Sequence, residues 1–471
     1  MDQREILKNK YVVVIGLARS GIASAKLLTD LGANVLITDQ KSEDELRDSV
    51  EKLRSECPKI DFHLGGHPEN IFDGADLVVI SPGVPFNIPI LQTLRKRSVE
   101  IIGEIELAYR FCKSPIIAIT GTKGKSTTST LTGQILSKTY KKGRVVVAGN
   151  IGTPLSQYVL DLKESDLLVL EVSSFQLETT VYFKPVISVI LNMMTDHLDR
   201  HKDFDEYVSA KYKIFANQTE KDYIILNVDD PNVYAVEKIA KAKPLLFSSR
   251  KKLEKGIYLE NDHIVANLNG DKAIPICKIG DLKIIGRHNV ENSMAATAIS
   301  MIYDAKPESI AEVLREFTGL EHALEFVAEI NGVRFINDSK ATNVISLKAA
   351  LESIDTGINL IIGGRDKGND YEPLIPLVKE KVRHLIIIGE SADKIENSLG
   401  HLTKSVRATT MDDAVNKAYN LARSGETVLL STACASFDMF HDYADRGNKF
   451  KEAVKKLKQK VIPAEAGIHS H

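Results

Sequence analysis

Short runs of aliphatic, mostly β-branched residues, each leading straight into a glycine-rich or polar turn, recur along this chain. The first, Tyr11-Val-Val-Val-Ile15, meets the turn GLARSG at 16–21, then a helical pattern to Leu31, then a second run from Asn34 to Thr38 that ends in Asp39. A run that is apolar throughout suits a strand buried on both faces. Strands joined by helical spacers lie parallel, with helices covering the sheet. Asp76–Ile80 repeats the pattern, and a new start at Pro115–Thr120 runs into GTKGKSTT. Arg144–Ala148, Leu167–Leu170, Val186–Leu191 and Tyr223–Leu226 follow. A third set begins near Val333 and includes Ile358–Ile362, His384–Ile388 and Thr427–Leu430. The class is therefore α/β. Three starts in 471 residues imply three domains, 1–103, 104–318 and 319–471, divided near Gly103 and Gly319. Pro463–His471 shows neither period and is expected to fray.

Composition excludes several classes. Lys and Arg total 61 against 63 Asp and Glu, a formal charge of -2, so non-specific nucleic-acid binding has no support. Local basic pockets for phosphate remain compatible with that balance. No apolar run reaches about 18 residues, so no spanning helix is expected. The N-terminus, MDQREILKNK, is charged where a signal peptide would be apolar. Cys57, Cys112, Cys277 and Cys434 lie far apart and form no CxxC pair. Disulfides and structural zinc are not expected, and a reducing cytoplasm is the natural compartment.

The turns carry the chemistry. In GLARSG, Ala18 occupies the middle glycine of the dinucleotide fingerprint, so the match is incomplete. The helix start still offers N–H groups to a phosphate, and Asp39 offers an acceptor to a ribose or base. A tight turn with no ligand explains the same residues equally well. Thr120-Gly-Thr-Lys-Gly-Lys125-Ser126-Thr127 is a shortened Walker A loop, the first glycine of the long form falling at Ile119. Gly121, Thr122, Lys123 and Gly124 let backbone N–H groups curl around phosphate, Lys125 supplies charge, and the Ser126 hydroxyl suits Mg²⁺. A glycine turn with solvated lysines is the plain alternative.

Other positions stay open when taken alone. Glu171 ends a strand, where it is either a Mg²⁺ ligand or an ordinary strand-end acid. His197, in Thr195-Asp-His-Leu-Asp199, is either a metal ligand or a core histidine, the second being the commoner case. Nothing local marks Lys211 as other than a solvated lysine. Asn337–Asn343, Gly363–Gly368 and Ser431–Asp438 each follow a strand. Together they form either one crevice for a small anion or three ordinary polar loops. Cys434 has no neighbouring base and is expected to be a small buried residue.

Taken in order, GTKGKST, EVSSFQLE, DHLDRH, GRHNVEN, NDSKATN, GGRDKG and TACASFDMF resemble the Mur ligases of peptidoglycan synthesis. The combination of EVSSFQLE, NDSKATN and ACASFDMF is most similar to the MurD branch of that family. The resemblance implies a Rossmann-like N-terminal domain for the UDP-sugar, a P-loop-type central domain for ATP and Mg²⁺, and a Rossmann-like C-terminal domain for the amino acid. It implies a cytoplasmic monomer with no nucleic-acid or membrane partner. The implied reaction is ATP-dependent addition of D-glutamate to UDP-N-acetylmuramoyl-L-alanine through an acyl phosphate. Lys125 matches the phosphate lysine; Ser126, Glu171 and His197 match Mg²⁺ ligands; Lys211 matches the lysine that is carbamylated in the family. His322 matches a histidine near the hinge. Asn289 and Asn292 match adenine-side positions, and Asp338 and Lys340 match ATP contacts. Thr342, Lys367, Ser436 and Phe437 match the D-glutamate pocket. Leu17, Ala18, Asp39, Gly83, Asn150 and Ser173 match positions that bind the UDP-sugar substrate. Ala323 departs from the usual arginine after His322, Thr432 from a usual proline, and Tyr443 from a common phenylalanine. Readings from elsewhere are another Mur-type ligase with a different amino acid, a nicotinamide-dependent oxidoreductase on the first glycine turn, and a nucleotide sensor without catalysis. Ala18 and GTKGKST weigh against the oxidoreductase, and the set Glu171, His197 and Lys211 weighs against a mere sensor.

Overall fold

The computed structural model describes residues 6–150, 152–195, 200–270, 272–284, 286–355, 357–366 and 368–466. These residues form three sheets. The first has β1 (Tyr11–Ile15), β2 (Asn34–Asp39), β3 (Asp61–Leu64), β4 (Leu77–Ile80) and β5 (Ile101–Gly103) in the order β3-β2-β1-β4-β5. All neighbours are parallel. The order reverses at β1, and ligands of such sheets settle at that reversal, outside the carboxyl ends of the strands.

The second sheet holds β6 (Ile116–Thr120), β7 (Val145–Gly149), β8 (Leu167–Glu171), β9 (Ile187–Ile190), β10 (Tyr223–Asn227), β11 (Lys243–Ser248), β12 (Gly256–Glu260), β13 (His263–Asn267) and β14 (Ile274–Lys278). Its order is β14-β13-β12-β11-β10-β9-β6-β8-β7. The three strands at the β14 end are an antiparallel addition that the strand–helix rhythm does not announce. Their signal is local: Asn261 and Asp262 both take positive φ, 46° and 65°, and close the two-residue hairpin between β12 and β13. The third sheet holds β15 (Glu325–Ile330), β16 (Val333–Asn337), β17 (Ile358–Gly363), β18 (Val382–Ile388), β19 (Lys404–Ala408) and β20 (Thr427–Leu430), in the order β15-β16-β20-β17-β18-β19. Only the edge strand β15 is antiparallel to its neighbour.

Two compact units result. One comprises Met1–Ile279 with Val290–Arg315 and holds the first two sheets; the other comprises Gly280–Asn289 with Glu316–His471 and holds the third. In the first unit, one continuous apolar cluster runs from Val12 and Val14 of β1 to Leu168 and Leu170 of β8. In the second, separate clusters cover the two faces of the third sheet. One helix of that unit corrects the expected fraying for 463–466, while 467–471 lie outside the described residues. It runs Tyr443–Ala466, so Pro463 is helical. Phe450, Val454 and Leu457 anchor the helix in the core. Proline's own φ is helical, and near a helix end its main cost is one backbone hydrogen bond. No helix among the described residues is long and apolar enough to cross a membrane.

A buried acid joins the sheets of the first unit. The fully buried Glu106 carboxylate accepts N–H bonds from Val181 (2.9 Å), Tyr182 (3.0 Å) and Phe183 (3.1 Å), and one from Arg110 Nε at 3.2 Å. Glu106→Gln would turn an NH₂ toward donors that need an acceptor. A loss of about 2 kcal/mol in the unfolding of this unit is expected in urea titration. An unchanged midpoint would mean that these amides do not depend on the carboxylate.

Candidate active site

β6 lies between β8 and β9, so the turns after these three strands open side by side. The turn after β6 ends at Gly124, whose φ of 84° opens the helix Lys125–Thr139. A Cβ at Gly124 would stand 2.2 Å from Asn292 Oδ1, so only glycine fits there. The turn is strapped to the chain leaving β9. Thr122 N donates to Asn192 O at 3.0 Å and Lys123 N to Asn192 Oδ1 at 2.9 Å. The Thr122 hydroxyl accepts from Met194 N at 2.9 Å and pairs with Tyr207 OH at 2.9 Å. Met194 leads toward His197, which, with all of 196–199, lies outside the described residues.

Two lysines converge on this turn. Lys125 Nζ donates to Gly121 O at 2.9 Å and to Thr122 O at 3.1 Å. Lys211, almost fully buried on the helix Phe204–Tyr212, donates from Nζ to the same Gly121 O at 3.0 Å and stands 4.7 Å from the Tyr207 ring centre. Ser126 and Thr127 follow Lys125 in the first helical turn. Paired cations over a glycine turn at a helix start make a site for an anion, and for phosphate in particular.

Glu171 ends β8 beside the turn, its register partner on β6 being Ile119. It is 2% exposed. Asn150 Nδ2 donates to its Oε1 at 2.7 Å, while its buried Oε2 has no partner among the described residues. A buried carboxylate oxygen left open next to a phosphate loop fits a small, hard cation such as Mg²⁺, which takes oxygen ligands and leaves room for phosphate oxygens. Among the described residues no three His, Cys, Asp or Glu side chains converge, so Glu171 is no part of an all-protein metal cage there. Asn292 holds the helix start by accepting from Thr128 Oγ1 at 3.3 Å. Asn289 donates its N–H to Gly286 O at 3.0 Å.

A cavity of about 910 Å³ lies at the carboxyl ends of the first sheet and brings together Leu17, Ala18, Asp39, Gly83 and Asn150. Asp39 Oδ2 accepts from Leu17 N at 2.7 Å, which fixes the first glycine turn against the end of β2. Ser173 does not line the cavity. It caps the short helix Ser174–Leu177 in a reciprocal box with Gln176, and Gln176 does line it. His67 also lines the cavity, a residue the motifs leave unmarked. Its only local sign is a histidine after two glycines, Gly65 and Gly66, that follow a strand.

In the second unit β16, β20 and β17 are neighbours, so the loops after Asn337, Leu430 and Gly363 share one edge. Asp338 ties them: its Oδ1 accepts from Leu324 N at 3.1 Å and its Oδ2 from Ser431 Oγ at 2.7 Å. Lys340 N donates to His322 O at 2.9 Å, and Thr342 N to Lys340 O at 3.0 Å. His322 is buried, with φ of 64°, and its Nδ1 accepts from Asn337 Nδ2 at 2.9 Å. Burial, reinforced by Lys451, pushes its pKa down and keeps the ring neutral. A Cβ on Gly447 would lie 2.2 Å from His322 Nδ1, so glycine is required at that approach.

Arg446 shows what no motif marks. Its Nε and Nη2 donate to Ser339 Oγ (2.9 Å) and Ser339 O (2.8 Å), and its Nη1 to Cys434 O (3.0 Å). Burial lowers its pKa to about 10, which leaves it charged at neutral pH. Ser436 is buried on the same loop edge, whereas Phe437 is 59% exposed. Lys367 lies outside the described residues. Cys434 is buried, with Tyr371 OH 3.2 Å from its sulfur.

Known proteins resemble this chain along most of its length. Residues 10–103 match the family model described as Mur ligase MurD-like, N-terminal domain; 119–300 match the Mur ligase middle domain; 324–434 match the Mur ligase, glutamate ligase domain. A protein of Thermoanaerobacter sp. (strain X514) named UDP-N-acetylmuramoylalanine--D-glutamate ligase is 44% identical over 457 residues, spanning 96% of this chain and 100% of that one. The chain belongs to the Mur ligase family. A Geotalea daltonii Mur ligase of the same name is 45% identical over 452 residues, with 96% and 98% covered. Among solved structures, a UDP-N-acetylmuramate-alanine ligase from Thermotoga maritima has a TM-score of 0.58 at 20% identity, covering 95% of this chain and 100% of that one. A pseudomurein peptide ligase type C from Methanothermus fervidus has a TM-score of 0.56 at 20% identity, covering 96% and 100%. These likenesses concern the fold, an α/β Mur ligase architecture of three family domains.

Proposed function

We propose that this Mur ligase joins D-glutamate to UDP-N-acetylmuramoyl-L-alanine at the expense of ATP, as its relatives' names state for them. The observation that carries the reading is the convergence of Lys125, Lys211 and the open oxygen of Glu171 on the turn after β6. The assignments are a UDP-sugar region over 1–103, an ATP region over 104–318 and an amino-acid region over 319–471. The setting is the cytoplasm and the working form a monomer.

The chemistry accounts for the charge. The substrate carboxylate attacks the γ-phosphorus of ATP, ADP leaves, and an acyl phosphate forms. Attacker and target are both anionic, so Lys125 lowers the barrier by neutralising charge where it builds. Glu171, Ser126, His197 and Lys211 in carbamylated form would hold divalent cations, which supply further positive charge to the phosphates when bound. The neutral amine of D-glutamate then attacks the acyl carbon. The tetrahedral adduct expels inorganic phosphate, the nitrogen gives up a proton, and an amide remains. Thr342, Lys367, Ser436 and Phe437 are assigned to amino-acid binding, the charge of Lys367 suiting a carboxylate of glutamate. Asp338, Lys340, Asn289 and Asn292 are assigned to ATP binding, and His322 braces the loop that carries Asp338 and Lys340.

Phosphate release is the deciding experiment, run with ATP, Mg²⁺ and UDP-N-acetylmuramoyl-L-alanine. D-glutamate is compared with L-glutamate, D-aspartate, L-lysine and no amino acid. Release with D-glutamate alone, with a new UDP-linked product, is the expected result. Release with a different amino acid would retain the mechanism and remove the pocket assignment.

A further inference from the structure

Besides Asp39, His67 lines the cavity of the first sheet. The chain leaving β3 is pinned against the end of β2: Gly65 N and Gly66 N both donate to Asp39 O at 3.0 Å, and Gly65 N also reaches Lys41 O at 2.8 Å. Gly65 and Gly66 take φ of 88° and 144°, values that L side chains resist, so the double glycine makes this clasp possible. His67 follows at once and lines the cavity.

Its tautomer is set by one buried hydroxyl. Thr38 Oγ1, on a fully buried residue, stands 2.9 Å from Gly66 O and 2.9 Å from His67 Nδ1. A carbonyl oxygen only accepts, so the single hydroxyl proton goes to Gly66. The Thr38 oxygen must then accept from His67, which places the imidazole proton on Nδ1. Burial pushes the His67 pKa down, with His63 adding to it and Asp39 opposing, so the ring is neutral. In that form Nε2 is a lone-pair acceptor, and it has no protein partner among the described residues.

Position supplies the rest. Arg19 and Ser20, at the N-terminus of the helix Arg19–Asp30, line the cavity, and that end suits the phosphates. β3 lies beyond β2 in the sheet, one strand spacing of about 4.8 Å further from that end. His67, three residues past β3 and fastened to Thr38 of β2, lines the cavity on that far side, where a base would follow the ribose. Leu46 and Ile88 supply apolar surface to the same cavity.

We propose that His67 reads the nucleobase, its Nε2 accepting the N3–H of uracil and rejecting a base with an acceptor at that position. The inference rests on the UDP-sugar reading and names the residue that makes it uridine-specific. Uracil presents a donor at N3, whereas cytosine presents a lone pair there, which would face the lone pair of Nε2. Methylation of N3 removes the donor without changing the phosphates.

Calorimetric titration of the full chain with UDP, CDP and N3-methyl-UDP tests this, in the wild type and in His67→Phe and His67→Gln. The wild type is expected to favour UDP over both analogues by about tenfold or more, the scale of one buried hydrogen bond with a mismatched alternative. In His67→Phe the preference should shrink to about threefold or less. His67→Gln, which retains an acceptor oxygen, should keep part of it. ATP binding in each variant, expected to be unchanged, reports that the unit is folded. A His67→Phe protein that binds ATP and still separates UDP from both analogues overturns the assignment. So does a wild type that binds UDP without discriminating. A wild type that binds none of the three removes the UDP-sugar reading as well, and so is distinguishable from failure of His67 alone.

Discussion

Lys125→Ala is expected to lower the rate of phosphate release by about a thousandfold, or about 4 kcal/mol of transition-state stabilisation. The size follows from geometry. The Lys125 ammonium is held over the turn by Gly121 O and Thr122 O, at 2.9 Å and 3.1 Å, so its charge is in place before the reaction. In the proposed reaction it would act where an anionic carboxylate approaches an anionic phosphate, and alanine offers no replacement. The stability cost should be small, because the side chain is only part-buried. UDP binding in the cavity of the first sheet should be unaffected. The checks are kcat from phosphate release, thermal unfolding and UDP titration on one preparation. A variant within tenfold of wild-type kcat would remove Lys125 from charge neutralisation.

Lys211→Ala should cost about a hundred- to a thousandfold in kcat for a different reason. As an ammonium, Lys211 adds a second cation to a turn that already has one, both on Gly121 O. As a carbamate it would present carboxylate-like oxygens and add a ligand for metal to the one that Glu171 offers. The two states predict opposite behaviour. If Lys211 is carbamylated, removal of dissolved CO₂ lowers wild-type activity and bicarbonate restores it. Formate or acetate then rescues part of the activity of Lys211→Ala, and the Mg²⁺ requirement of that variant rises. Wild-type activity indifferent to CO₂, with no rescue of the variant by short acids, would leave Lys211 as a plain cation.

Legibility in the sequence tracked distance along the chain. The turn from Thr120 to Thr127 could be recognised because its glycines, its lysine and its hydroxyls are contiguous and follow a strand. Lys211 and Glu171 could not be recognised from neighbours. Each is one charged residue at the end of an ordinary element, and only the order β9-β6-β8 brings their turns together. The family resemblance supplied what local reading lacked. His67 escaped both, because its meaning depends on Thr38, two glycines and the position of β3 outside β2. The antiparallel β12–β14 addition escaped because its strands follow no helix rhythm, although the Asn261-Asp262 turn was written locally.

By itself the sequence determined the α/β class, the parallel strands and the phosphate loop. Strand burial, helix starts and glycine turns are set by side-chain pattern and backbone freedom over a few residues. Tertiary structure alone decided which strand ends became neighbours. It therefore decided that Lys125 and Lys211 share one carbonyl, that one Glu171 oxygen stays open among the described residues, and that Arg446 joins Ser339 to Cys434. The Lys211 and Arg446 contacts join residues 12 to 107 positions apart. Packing of the sheets sets them, and no local pattern encodes it.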